Sequence, residues 1–137
     1  MEITVSTRQG TVPVAVLQPH GDVDASNYAQ LIDQVRTLLQ GGAQHFIIDL
    51  SDVPFMSSAG LVALHSIANI LRGEKAADPQ AGWAAFKSID RSREAGLQKH
   101  VKLLSPQPYV ADTFEKAGFT QFFEMFTNLD QAVASFA

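Results

Sequence analysis

Two adjacent serines are the residues of this chain best placed for chemistry. Ser57 and Ser58 stand in the run Asp49-Leu50-Ser51-Asp52-Val53-Pro54-Phe55-Met56-Ser57-Ser58-Ala59-Gly60-Leu61. One or the other sits where a strand-like apolar run hands over to a helix. The first N–H groups of a helix lack partners inside it, and they carry the positive end of its dipole. An unmodified serine hydroxyl there caps the helix. A phosphorylated one carries about −1.5 to −2 charges, and its oxygens accept from those N–H groups. The local preference for such an anion is roughly 0.3–1 kcal/mol, so its main effect falls on whatever docks against the surface. The plainer alternative is a capping serine and nothing more.

Other chemical templates fail. There is no GxSxG elbow, no GxxxxGK[ST] phosphate loop and no GxGxxG after the first strand. Cysteine is absent, which excludes thiol catalysis, disulfide scaffolds and cysteine-ligated zinc. His20, His45, His65 and His100 are scattered and form no HExxH, so they read as surface or satisfied histidines, with no metal expected. Asp22-Val23-Asp24 reads as a solvated turn with one helix-capping Asp, in preference to an acid–base pair. No nucleophile is set beside a base by spacing. The expectation is a binding module without cofactor, not an enzyme.

The elements that must position the serines follow from periodicity. Ile3 and Val5 suggest a short edge strand, and Gln9-Gly10 a turn. Val12 to Leu17 is β-rich, with Pro13 at the strand start and the run broken from Pro19 to Gly21. Asp24, Ser26 or Asn27 should cap a helix whose apolar face is Tyr28, Leu31, Ile32, Val35, Leu38 and Leu39, ended by Gly41-Gly42. Phe46 to Leu50 reads as a central strand covered on both faces. Leu61, Leu64, Ile67, Ala68 and Leu71 mark the helix after the serines. Val101 to Leu104 is a strand, Val110, Phe114 and Ala117 a helix stopped by Gly118, and Phe122 to Phe126 a last strand. Thr127 or Asn128 caps a final helix bearing Leu129, Ala132, Val133 and Phe136. The order β-β-α-β-α-(insert)-β-α-β-α calls for an α/β fold with a mostly parallel sheet and an antiparallel N-terminal edge.

The 137 residues suit one domain, 1–137, with an insert at about 73–100. Hydrophobic residues are 46% and charged ones 18%, a globular composition, and the formal charge of −4 argues against a nucleic-acid or anionic-lipid footprint. The opening MEITVSTRQG lacks a leader pattern, and no run approaches the ~20 apolar residues of a membrane span. A cytoplasmic protein is expected. The insert is too long for an ordinary connection. It is either an exposed loop or a contact surface, in which Trp83, Phe86 and Ile89 would anchor a homodimer or a larger assembly, rimmed by Arg91, Arg93 and Lys99.

The stretch DLSDVPFMSSAGLVAL resembles the signature of STAS domains of the anti-sigma-factor antagonist type, approximately D-L-S-x-V-x-F-M-D-S-S/T-G-L-G-x-L. Gly21-Asp22-Val23-Asp24 is similar to the family's G-E-L-D, and Ala111 to Phe119 to its later helix and Gly turn. The resemblance covers nearly all of the chain outside about 73–100. It implies a small mixed sheet with helices mainly on one face. It also implies partner switching: the unphosphorylated protein binds an anti-sigma factor that is itself a serine kinase, phosphorylation releases it, and a phosphatase restores it. The family's acceptor serine corresponds to Ser58. The motif Asp is Ser57 here and the second hydroxyl position is Ala59, which leaves Ser57 as a competing acceptor. Asp24, Phe55, Met56, Ser57, Ser58, Gly60 and Leu61 are the expected docking residues. Two alternatives stand beside this one: a STAS scaffold or transport-system subunit that is never phosphorylated, and an aspartyl-phosphate receiver using Asp49 or Asp52. Against the receiver, Lys102 lies near the start of its strand, not at the end.

Overall fold

Pairing begins at the N-terminus, in a hairpin whose two arms differ in how deeply they are buried. The computed structural model describes residues 1–73 and 98–136. Strand β1 (Glu2–Gln9) pairs antiparallel with β2 (Pro13–His20), from Glu2 against His20 to Gln9 against Pro13. β2, β3 (Phe46–Asp49), β4 (Val101–Leu104) and β5 (Met125–Phe126) follow in parallel, and the sheet order is β1-β2-β3-β4-β5. Helices α1 (Tyr28–Gln40), α2 (Ser58–Leu71), α3 (Pro108–Ala117) and α4 (Leu129–Ala134) connect or follow them, with a 3-10 turn at Phe119–Gln121.

Alternation along the strands assigns the faces. Ala15, Leu17, Phe46, Ile48 and Leu103 share one core with Leu31 and Val35 of α1, Leu64 and Ile67 of α2, and Val110 and Phe114 of α3. Val14, Val16, Ile47 and Leu104 point the other way, onto Ala132 and Val133 of α4 and onto Phe136. Among the described residues, three helices thus cover one face and one short helix the other, and β3 is buried on both sides as its apolar run Phe46-Ile47-Ile48 requires.

Several boundaries differ from expectation for definable reasons. β1 is eight residues long, not short, because the whole hairpin pairs without a bulge. β2 continues through Pro19 to His20. Ala15 donates to His45 O, so the odd-numbered N–H positions of β2 face β3. Pro13 and Pro19 fall on that side, beyond the paired span Ala15 to Leu17, where no ladder donor is missed. The last strand is only Met125–Phe126, because Phe122 and Phe123 close the core after the 3-10 turn. Residues Asp24 to Asn27 form a turn before α1, and Asn27 makes no side-chain cap bond. Gly118, at φ 78°, stops α3, and Asn128 caps α4 by accepting from Gln131 N at 3.0 Å. α2 is buried on every side from Ala59 to Asn69, more completely than a one-faced apolar stripe predicts. The insert residues Trp83, Phe86 and Ile89 lie outside the described residues.

Candidate functional site

Two loops leaving the carboxyl ends of β2 and β3 are zipped together. Gly21 N donates to Asp52 O (2.9 Å), Val23 N to Phe55 O (3.1 Å) and Ser57 N to Val23 O (2.9 Å), with a parallel bridge between Val23 and Met56. Asp49 Oδ1 turns the chain by accepting from Ser51 N at 3.0 Å. Gln107 Nε2 holds Ser51 O at 2.9 Å, and Gln18 Nε2 holds Ser51 Oγ at 3.0 Å. A further line ties the loop to the hairpin: Thr4 Oγ1 lies 2.7 Å from His20 Nε2, and His20 Nδ1 lies 2.5 Å from Asp52 Oδ2. The backbone feeding α2 is therefore fixed from several directions.

That fixed backbone sets the two serines in opposite environments. Ser57 is the N-cap residue with extended dihedrals, φ −79° and ψ 176°. Its Oγ is enclosed and meets no hydrogen-bond partner, so it makes no cap bond. Ser58 is the first helical residue and is exposed. Leu61 N bonds to Ser57 O, which leaves the N–H groups of the first turn at this tip without helical acceptors. α2 has no acidic residue in its first turn to oppose an anion. Gly60 is required by closeness: a Cβ there would overlap Met56 Cγ and come within 3.1 Å of Val23 O and 3.2 Å of Val23 Cγ1. The tip of α2 is seated directly on the zipped loops.

The expected docking residues separate into two layers. Asp24, Phe55 and Ser58 reach solvent, Phe55 being 38% exposed. Met56, at 2% exposure, lies beneath them with Gly60 and Leu61 and supports the surface without forming it. Asp24 Oδ1 accepts from Ser26 Oγ (2.5 Å) and Ser26 N (2.9 Å). The Ser26 hydroxyl, and then its N–H, hold the Asp24 carboxyl below its ordinary value. Tyr109 was not anticipated. It lies in the first turn of α3, 59% exposed, with its ring 5.7 Å from that of Phe55. The sequence signal for it was Pro106-Gln107-Pro108 after β4, which starts a helix at the same end of the parallel sheet as the serines.

The remaining candidates are occupied otherwise. Asp49 serves its turn and Asp52 serves His20. Lys102 Nζ reaches Ser135 Oγ (2.7 Å) and Glu124 Oε1 (3.2 Å), on the α4 side of the sheet. The acid–lysine grouping of a receiver is not assembled from these residues. His65 is buried, 3.2 Å from Asn69 Nδ2 and ring-to-ring with Phe122. Among the described residues, no three His, Asp or Glu side chains converge on a metal-sized point, and no helix is long and apolar enough to cross a membrane.

Known proteins give the arrangement its context. A putative anti-sigma factor antagonist from Thermotoga maritima superposes with a TM-score of 0.65 at 18% identity, covering 95% of this chain and 90% of that one. An anti-sigma factor antagonist from Mycobacterium paratuberculosis gives 0.64 at 18% identity, covering 98% and 93%. The Bacillus cell fate determinant SpoIIAA in its phosphorylated form gives 0.52 at 18% identity, covering 95% and 96%. No curated protein matches the chain. The five-stranded sheet and its helices are thus the fold of the anti-sigma-factor antagonists. The sequence model of the STAS domain matches residues 2–76, more than half of the chain, and the protein belongs to the STAS domain family.

Proposed function

We propose that residues 1–137 form a single cytoplasmic STAS domain that works as an anti-sigma-factor antagonist by binding, without catalysis. Its partner is an anti-sigma factor that is also a serine kinase, and a phosphatase reverses the modification. The observation that carries this reading is the contrast at the tip of α2: Ser58 is exposed while the Ser57 hydroxyl is enclosed. Ser58 is therefore the acceptor and Ser57 is not its competitor. Relatives of the same fold are described as antagonists of anti-sigma factors, and one was solved in a phosphorylated form, which supports the reading.

The docking surface is Ser58 with Asp24, Phe55 and Tyr109. The two exposed rings supply apolar area, and the ionised Asp24 fixes orientation. Phosphate on Ser58 takes the formal charge from −4 to about −6 at the centre of that surface. The free N–H groups of α2 accommodate it locally, so the fold survives. A partner seated there must strip water from a dianion. Even an imperfectly compensated polar group costs roughly 1–3 kcal/mol, and about 1.4 kcal/mol is already tenfold in affinity. Phosphorylation thus ejects the partner without unfolding the domain.

The test is to mix the chain with serine-kinase anti-sigma factors from the same genome and ATP, then map phosphate by mass spectrometry. Ser58→Ala should abolish labelling and Ser57→Ala should retain it. Binding that is tight but indifferent to Ser58→Asp would favour the unphosphorylated scaffold instead.

A further inference from the structure

Among the described residues nothing covers β1, a sheet edge whose geometry specifies its own partner. Strand edges are normally blunted by prolines, bulges, inward charges or covering segments. β1 pairs with β2 over eight residues without a bulge, contains no proline, and is exposed at every position but Ile3. Val5, in the middle, is 39% exposed, whereas Leu17 opposite it is fully buried.

The direction of each backbone group follows from the pairing. Ala15 N–H bonds toward β3, so the even-numbered residues of β2 bond toward β1. Their partners Glu2, Thr4, Ser6 and Arg8 are consumed in that ladder. Ile3, Val5 and Thr7 therefore present both N–H and C=O outward. An antiparallel strand added at this edge must place its own outward residues against these three.

We infer that the occupant is β1 of a second copy, with Val5 opposite Val5 on a two-fold axis. In that register Ile3 faces Thr7 of the other copy, and all three outward residues become hydrogen-bonded pairs, each exchanging two bonds. A shift by one residue sets outward groups against inward ones and forfeits the ladder. The side chains agree on both faces. On the α1–α2 face, Ile3, Val5 and Thr7 form a β-branched ladder across the axis. On the α4 face, Thr4 meets Ser6, and Glu2 meets Arg8 of the other copy, twice by symmetry. Arg8 already holds Asp130 at 2.7 Å, and its guanidinium has donors to spare. The product is a ten-stranded sheet continuous through both copies. β1 contributes none of the residues of the Ser58 surface and reaches its loop only through the Thr4–His20–Asp52 line, so the paired edge leaves that surface open.

Because only a strand edge joins the copies, the dimer is weaker than one with a standard interface. Its weight-average mass in sedimentation equilibrium should rise toward twice that of one chain as concentration passes through roughly 10–1,000 µM. Val5→Pro deletes one outward N–H and no β1–β2 bond, so it should weaken association by about tenfold or more while circular dichroism and the melting midpoint stay near wild type. The chain has no cysteine, so single cysteines report the register. At a hydrogen-bonded pair the Cα atoms lie about 5.5 Å apart, within disulfide reach, and Val5→Cys should give an oxidised dimer while Ile3→Cys and Gln9→Cys should not. A chain that stays monomeric at every concentration, a dimer indifferent to Val5→Pro, or cross-linking from position 3 or 9 in preference to 5 would each overturn the inference.

Discussion

Gly60→Ala tests how the tip of α2 is seated, and the structure gives its size. The added methyl overlaps Met56 Cγ and crowds Val23 O and Cγ1 at 3.1 and 3.2 Å. Both neighbours are buried and fixed by the Val23–Met56 bridge, so neither yields freely. Overpacking of this kind costs about 1–3 kcal/mol, and the better helix propensity of Ala returns at most about 1 kcal/mol. The net loss should be about 1–2 kcal/mol, which for a chain of this length lowers the melting midpoint by roughly 3–10 °C. Urea denaturation read by circular dichroism measures it. Met56→Ala alone should cost about 2–4 kcal/mol. The double variant should lose less than the sum by about 0.5 kcal/mol or more, because the new methyl occupies the vacated space. A Gly60→Ala protein as stable as wild type, or more so, would refute the reasoning, since propensity alone would then govern the position.

Ser57→Ala should leave stability unchanged or raise it by up to about 1 kcal/mol, because the enclosed hydroxyl makes no cap bond; a loss above about 1 kcal/mol in the same assay would show a working cap. Burial, then His100 and Lys102, lowers the pKa of His45 from its ordinary 6.5, so the fold prefers the neutral ring. Its contribution is complete above pH 6.5 and is lost as pH falls through the folded-state value, so His45→Gln should flatten the stability profile on the acid side, and an unchanged profile would deny the effect. Lys102, 6% exposed, lies under Phe136 with Nζ 4.5 Å from the ring centre. Lys102→Ala should cost about 2–4 kcal/mol through lost stem packing, whereas Lys102→Met should stay within about 1 kcal/mol, since Glu124 keeps its access to water; chemical denaturation of the pair separates packing from charge.

The parts of this fold written in the sequence are those set by local periodicity. The Phe46 to Leu50 run could only be a strand covered twice, and the Ser57-Ser58 junction followed from the change of period after it. What was hidden depends on residues far apart in the chain. Pro19 looked like a strand breaker, because the sequence does not say which side of β2 lacks a neighbour. Met56 and Leu61 looked like surface, because a motif lists residues without their depth; the bridge to Val23 puts Met56 underneath. The Thr4–His20–Asp52 line joins positions separated by 16 and 32 residues and leaves no pattern. Tyr109 joins Phe55 only because α3 begins at the same sheet end as α2.

The central claim is that an anion on Ser58 changes recognition and not folding. Its most direct test is to install phosphoserine at position 58 and titrate the product, beside the unmodified chain, against an anti-sigma factor that binds the latter. The predicted result is affinity weakened by about tenfold or more, with the melting midpoint shifted by no more than about 3 °C. Equal affinity of the two forms, or a phosphorylated chain that no longer folds, would contradict it.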